Sequence, residues 1–343
     1  MGLLTNVFHS DKKEESVVLV DIGASSVAGA YAHYAEGAPP VLLYAARVPV
    51  AVRPSEAPED AMLRALQSLG EVLIREGAPA LARAAGSGHI SAVLVSIDSP
   101  WQTTAVHIEH FEEGEPFIFT KSAVTEKLKG VNTAIPGKTL TDEGIIGTTL
   151  NGYETTNPYG RVAHRASAVI LSSFIDTNIA ASVRSALQAV YHTRRVLPVA
   201  GSSLRYQAMR QAFPHEREAL ILDATGPLTS IALLRHGLFV AVVEVADTGG
   251  AWVDGVTKEL AGLAKNYPLP RTLFLLAREQ EAAAFQKAFA TVKFGDLWLS
   301  DAPPKIIAVL ASHLSALVRQ AAESSPDLPL LLMALYWRYR APD

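Results

Sequence analysis

One order of elements occurs twice in this chain: strand, Asp-containing turn, strand, strand, helix, strand. In the first pass the runs Ser16–Ile22, Val27–Tyr34 and Val41–Val50 read as strands. Gly23-Ala24-Ser25-Ser26 and Gly37-Ala38-Pro39-Pro40 punctuate them. From Pro58 to Ala85 the apolar residues Met62, Leu63, Leu66, Leu69, Val72 and Leu73 recur at helical spacing, and a buried strand, Ile90–Ile97, follows. The second pass has Ala219–Asp223 and the turn Ala224-Thr225-Gly226-Pro227. The hairpin Leu228–Arg235 and Leu238–Ala246, helix Trp252–Ala264 and strand Thr272–Ala277 complete it. The duplication lies in structure rather than in a readable sequence repeat. A chain of 343 residues also exceeds what one core usually holds. Two α/β halves are therefore expected.

Between the halves the texture changes. A strand, Thr103–His110, leads through Glu112-Glu113-Gly114-Glu115-Pro116 to Phe117-Ile118-Phe119-Thr120 and a helix, Ser122–Lys129. A loop over Val131–Gly144 precedes strands Ile145–Thr155 and Val162–Leu171, then an amphipathic helix, Ser173–Tyr191. This predicts a small inserted α+β subdomain. The expected division is a lead-in over 1–15, a first half over 16–98, the insert over 99–191 and a second half over 192–343. That last part ends in helices Pro304–Ala322 and Leu328–Tyr339.

Composition narrows the function classes. The hydrophobic share of 49% supports a substantial core and argues against disorder. The net charge of -4, with no long basic run, implies no nucleic-acid partner. Cysteine is absent, which excludes disulfides, thiolate zinc sites and cysteine nucleophiles, and allows a reducing cytoplasm. The N-terminus lacks the basic flank of a signal peptide, and Asn6 stands where a myristoylation pattern needs Ser or Thr. No apolar run reaches the roughly 18 residues that span a bilayer. The histidines show no metal-ligand spacing; His107 and His110 sit on a strand, facing opposite sides. Ser25 and Ser202 lack a nucleophile elbow. Two segments stay open. Met1–Phe8, with Leu3, Leu4, Val7 and Phe8, reads as a docking peptide or a plain tail. Tyr336–Arg340 reads as a partner or membrane-interface contact, or as the solvated end of a core helix.

The two Asp-containing turns carry the chemistry. Gly23 lets the backbone approach a ligand, and successive N–H groups with the Ser25 and Ser26 hydroxyls make an anion nest. Asp21 at the strand end is placed to hold a hydrated Mg²⁺ beside phosphates. The alternative is an ordinary tight turn whose Asp and Ser cap backbone N–H groups. In the second turn Asp223, Gly226 and Thr229 fit the same role, with Asp223 as the second metal candidate. Pro227 removes a donor there and Thr225 adds bulk, so a structural hairpin is the competing reading. Gly249-Gly250, just before the Trp252 helix, suits either phosphate binding or close strand–helix packing.

The order of these motifs, with Leu150-Asn151-Gly152-Tyr153 and Asn157-Pro158-Tyr159-Gly160 in the insert, resembles the bacterial cell-division protein FtsA and its relative, the type IV pilus assembly protein PilM. The resemblance covers roughly residues 16–280. It implies an actin-like, duplicated ribonuclease H-like α/β fold that binds ATP and Mg between its halves and forms protofilaments. It also implies a membrane-side cytoplasmic scaffold whose insert contacts other proteins of a division or pilus machine. Two departures qualify it. Too little chain separates Gly250 from Pro270 for the subdomain that closes over the base, and Leu275-Leu276-Ala277-Arg278-Glu279-Gln280 lacks the expected glycine turn. The expectation is a degenerate, non-catalytic scaffold with weak or absent nucleotide binding. An active, polymerising ATPase is the alternative, and a small-molecule kinase of the same superfold, which rests on fold analogy alone, comes third.

Overall fold

The computed structural model describes residues 14–130, 135–155, 157–226, 228–245, 252–290, 292, 297–298, 304–321 and 327–340. Gly249, Gly250, Pro227 and the Met1–Phe8 segment lie outside the described residues.

The chain opens with an antiparallel meander of β1 (Glu15–Ile22), β2 (Ser26–Tyr34) and β3 (Val41–Pro49). Every residue of β1 from Ser16 to Ile22 is buried, as a near-continuous apolar strand covered on both faces must be. Next, α1 (Pro58–Val72), a π-helical turn (Leu73–Gly77) and α2 (Ala78–Ala85) form one helical run. Pro58, Glu59 and Asp60 suit its start, and Gly86 ends it in the left-handed region at φ 70°. β4 (Ala92–Ile97) then lies parallel to β1.

The insert follows as β5 (Gln102–Ile118), α3 (Lys121–Gly130), β6 (Lys138–Leu150), β7 (Tyr153–Glu154) and β8 (Val162–Asp176). Its sheet has the order β5-β8-β6-β7. Then come α4 (Thr177–Tyr191), β9 (Val196–Ala200), α5 (Gly201–Ala212), β10 (Ala219–Asp223), β11 (Thr229–Arg235) and β12 (Leu238–Val245). The chain continues through α6 (Trp252–Ala264), β13 (Thr272–Leu276), α7 (Glu279–Ala290), β14 (Lys305–Val309), β15 (Arg319–Gln320) and α8 (Leu328–Tyr339).

The duplication is explicit in the sheets. The first runs β15-β3-β2-β1-β4-β9 and the second β12-β11-β10-β13-β14. Removing the edge strand β15 leaves two copies of one topology. Register places the two aspartates at the same station: Asp21 lies opposite Ala28 and Ser96, and Asp223 opposite Ser230 and Leu276.

Strand alternation divides the core into layers. Val17 and Leu19 of β1 point to a central cluster, together with Ile221 of β10 and Ala232 of β11. Leu204 and Ala208 of α5 and Leu330–Leu335 of α8 join them, so α5 and α8 fill the space between the two sheets. Val18, Val20 and Ile22 point the other way, under Leu66 and Leu69 of α1 and Ile179, Val183 and Leu187 of α4. Leu220, Leu222 and Leu233 are covered by Val256 and Leu260 of α6 and Phe289 of α7. An all-round apolar helix has to be buried, and α8 is: Leu328 to Leu335 and Trp337 are all in the core. Its ends are tied down. The Asp327 side chain accepts from the Leu330 N–H, Tyr34 Oη donates to the Ala334 carbonyl at 3.1 Å, and Trp337 Nε1 donates to Glu15 Oε1 at 2.7 Å.

Three expectations are corrected. The Pro304–Ala322 segment is not a helix. Lys305–Val309 is β14, paired parallel to β13, followed by a 3₁₀ turn (Ala311–Leu314) and β15. The β-branched run Ile306, Ile307 and Val309 satisfies a sheet edge, and that tertiary pairing overrides the helical spacing. β5 continues through the Glu112–Pro116 region instead of ending at His110, and β6 begins at Lys138, inside the predicted loop. α5 and α7 were not foreseen.

Because α8 packs on β1, β2 and β4 and against α5, Leu332→Ala should cost about 2–5 kcal/mol. Urea denaturation should show one cooperative transition with a lowered midpoint. Two separated transitions would show that α8 does not couple the halves.

Candidate functional site

The carboxyl ends of β1 and β10 bring the two Asp-containing turns towards the space between the sheets. In the first turn the Gly23 N–H donates to the Ser26 carbonyl at 3.0 Å, and the Ser25 carbonyl accepts from the Val50 N–H at 2.9 Å. A Cβ on Gly23 would come only to 3.5 Å from the Ser26 oxygen, an ordinary contact, so the turn's own packing does not demand glycine.

Arginines occupy this turn. Arg47 of β3 donates through Nη1 to Ser26 Oγ at 2.8 Å and through Nη2 to Asp21 Oδ2 at 3.1 Å. Its Nε and Nη2 also reach both oxygens of Asp327, at 2.8 and 3.0 Å, which links the turn to the cap of α8. Arg278, just past β13, crosses from the second half and donates to Ser25 Oγ at 3.0 Å and Ser26 Oγ at 3.3 Å. Asp21 is 3% exposed, and its second oxygen, Oδ1, is buried without a partner.

The second turn is spoken for in the same way. Asp223 Oδ1 accepts from the Thr225 N–H at 3.1 Å and from the Thr225 hydroxyl at 2.6 Å. Asp223 Oδ2 accepts from Nε of Arg205. The Thr229 hydroxyl accepts from Trp252 Nε1 at 2.7 Å, which ties it to α6.

Arg205, on the buried face of α5, joins the halves. While Nε holds Asp223, Nη2 and Nη1 grip Asp98 Oδ1 and Oδ2 at 2.8 and 3.2 Å. Asp98 directly follows β4, so the two carboxylates come from the ends of strands in different sheets. All three side chains are nearly inaccessible. Gly201 makes the approach of α5 possible: a Cβ there would fall 1.9 Å from Asp98 Oδ1 and 2.9 Å from Arg205 Nη1. Burial pushes the Asp98 carboxyl up from its ordinary 3.8 to about 6. The nearby Asp21 and Asp223 carboxylates add to the rise, and Arg205 opposes it. Burial works against the charge on Arg205, but Asp223 and Asp98 outweigh it and hold the guanidinium protonated.

ATP and Mg²⁺ can be tested against this arrangement. The orphan Asp21 Oδ1 is the oxygen a hydrated metal would take. The cavity lined by Asp98, Gln102, Ser202, Arg205, Gly226 and Ser230 is about 10 Å³, whereas small-molecule pockets run to about 300–1,000 Å³. Among the described residues no group of three or more His, Asp or Glu could hold a metal ion. Among the described residues, that cavity is too small for a triphosphate.

Of the nine residues singled out from the sequence, Asp21, Gly23, Ser25 and Ser26 form the first turn. Gly226 lines the cavity, Asp223 is held by Arg205 and Thr225, Thr229 turns to α6, and Gly249 and Gly250 are not described. The residues that close the site, Asp98, Arg205, Arg47, Arg278 and Gly201, were missed. A signal existed for two of them. Asp98 ends a buried strand as Asp21 and Asp223 do, and Arg205 shares a helical face with Leu204 and Ala208.

A duplicated sheet order, central helices shared by the two sheets and facing Asp turns define the class: the chain has the actin-like ATPase fold. Among solved structures, the PilM-PilN type IV pilus biogenesis complex matches with a TM-score of 0.54 at 16% identity, over 94% of this chain and 97% of the other. A Bacteroides thetaiotaomicron protein with actin-like ATPase fold and unknown function matches at 0.44 and 10% identity, covering 97% and 99%. The cytoplasmic domain of EpsL, an inner membrane component of the Vibrio cholerae type II secretion system, matches at 0.40 and 9%, covering 96% and 97%. No protein-family model and no curated protein matches the sequence.

Removing the shared cation strands two buried carboxylates. Arg205→Met should lower stability by about 3–5 kcal/mol in urea denaturation. For Asp98 the raised value means that the folded chain holds this proton more tightly than the unfolded one. Its contribution therefore falls as pH rises from 3.8 to about 6 and is flat above that. Asp98→Asn should remove that part of the slope; urea midpoints with the same pH dependence in both proteins would refute the assignment.

Proposed function

We propose that this chain is a PilM- or FtsA-like scaffold of a type IV pilus or cell-division machine, placed on the cytoplasmic side of the membrane. It works through protein contacts, with nucleotide binding weak or absent. The observation that supports the reading is the Asp98–Arg205–Asp223 triad, which joins the end of β4 to the end of β10 by a buried guanidinium. A fixed guanidinium supplies the bridging charge, so the halves are joined without a ligand. The fold likeness to PilM supports the choice of machine.

The insert, taken as residues 99–191, is the proposed partner surface. Ile118 and Val162 pair across β5 and β8 and are 57% and 62% exposed, and Tyr153 is 80% exposed. Exposed apolar and aromatic side chains on a sheet end suit protein contact, including self-association into protofilaments. The apolar body of α8 is committed to the core, which leaves only its Tyr339 end for a membrane surface.

A second reading, an active ATPase, has one observation in its favour, the unpartnered Asp21 Oδ1. Isothermal titration with Mg-ATP separates the two. The scaffold reading expects no tight binding and no turnover. Micromolar binding with phosphate release, abolished by Asp21→Ala, would replace it with the second reading. For the partner surface, Val162→Asp should leave the unfolding free energy in urea within about 0.5 kcal/mol of the parent. The same variant should fail to restore pilus assembly or division in a strain lacking the chain.

A further inference from the structure

We propose that the groove between α1 and α4 is the docking site of the chain's own segment Met1–Phe8. This inference is independent of the scaffold reading. The groove consists of two adjoining depressions of about 500 and 540 Å³ on the outer face of the first sheet. Leu63, Leu66, Ala186, Leu187 and Val190 give it an apolar floor. Ile74, 46% exposed, stands at its lower end, inside the π-helical turn that interrupts the helical run. Turns of this kind recur at functional positions because they re-aim side chains. Two of the charges along the groove are used locally, Arg64 pairing with Glu56 and Arg75 with Glu76, each at 2.7 Å, while Glu71 stands exposed on the rim of the second depression. The floor therefore suits an uncharged, apolar occupant.

Met1–Phe8 has that chemistry. It carries no charged side chain, and in helical form Leu3, Leu4, Val7 and Phe8 fall on one face. About two turns do not hold a helix in water, so this form requires a surface to fold against.

Topology brings the segment to the right place. β1 begins beside Ser91, whose N–H donates to the Ser16 carbonyl. β4 and β9 run parallel to β1, and α4 ends immediately before β9. The Val190 end of the groove therefore lies at the end of the sheet where β1 starts. Tyr191 fixes the level: its ring meets that of Tyr31 at 6.5 Å, and Tyr31 is the register partner of Val18. From there the groove is about one helix diameter, 10 Å, above the sheet. Residues 9–13 span up to ~17 Å when extended, enough to make that step.

The absence of cysteine in the chain gives a direct test in the full-length protein. Val7→Cys combined with Ala189→Cys places one thiol on the segment and one on the exposed rim of the groove. The control pairs Val7→Cys with Ser312→Cys, an exposed position outside the groove. Docking predicts a monomeric disulfide that forms about tenfold faster in the groove pair, through raised effective concentration. Adding Leu4→Asp and Phe8→Asp should reduce that rate to the control rate. Equal rates in the two pairs would overturn the proposal. So would a disulfide found mainly between chains, which would make a second copy the occupant.

Discussion

The structure depends on one buried cation shared by two carboxylates. Arg205 cannot be solvated where it sits, and neither can Asp98 or Asp223, so each is tolerable only in the company of the others. Because the acids end strands of different sheets, that company exists only when the halves are docked. The triad thus converts an electrostatic need into an inter-sheet geometry. The local sequence follows from it: Gly201 is the residue that lets α5 approach Asp98, and Thr225 satisfies the Asp223 oxygen that Arg205 leaves free. Two exposed pairs of the same charges would contribute little. Here burial makes their mutual dependence strong.

The two outer arginines extend the same logic. Arg47 ties Asp21 and Ser26 to the cap of α8, and Arg278 brings the second half onto Ser25 and Ser26. In an actin-like ATPase, turns of this kind present unsatisfied donors to phosphate. In this chain the Ser25 and Ser26 hydroxyls already accept from the Arg47 and Arg278 guanidinium groups.

The architecture was legible because strands buried on both faces are continuous apolar runs, and these mark the sheet centres plainly. The ends of α6 and α8 were readable for similar reasons: α8 is apolar all round, and α6 starts at an aromatic after a glycine pair. α5 was not, since Gly-Ser-Ser-Leu-Arg-Tyr-Gln looks like a solvated segment until Arg205 is known to be paired inside. An arginine carries the same letter on a surface and in a core, and only the placement of Asp98 and Asp223, 107 and 18 residues away, distinguishes the two. Arg278 illustrates the limit differently. The lack of a glycine turn there was readable, but the reach of its side chain across to Ser25 was not. The 304–322 segment failed because β14 owes its form to β13, and short amphipathic runs do not declare their partner.

The position of α8 has a consequence for how the chain is made. Trp337 bonds Glu15 across 322 residues of sequence, and Tyr34 bonds Ala334 across 300. During synthesis β1 to β4 are completed long before the helix that covers their inner face leaves the ribosome. Until then Val17, Leu19 and Ala30 have no cover on that side, and the nascent first sheet carries an open apolar surface. A truncation before Asp327 would keep every strand of the two sheets and still leave the inner face of the first without the helix that covers it.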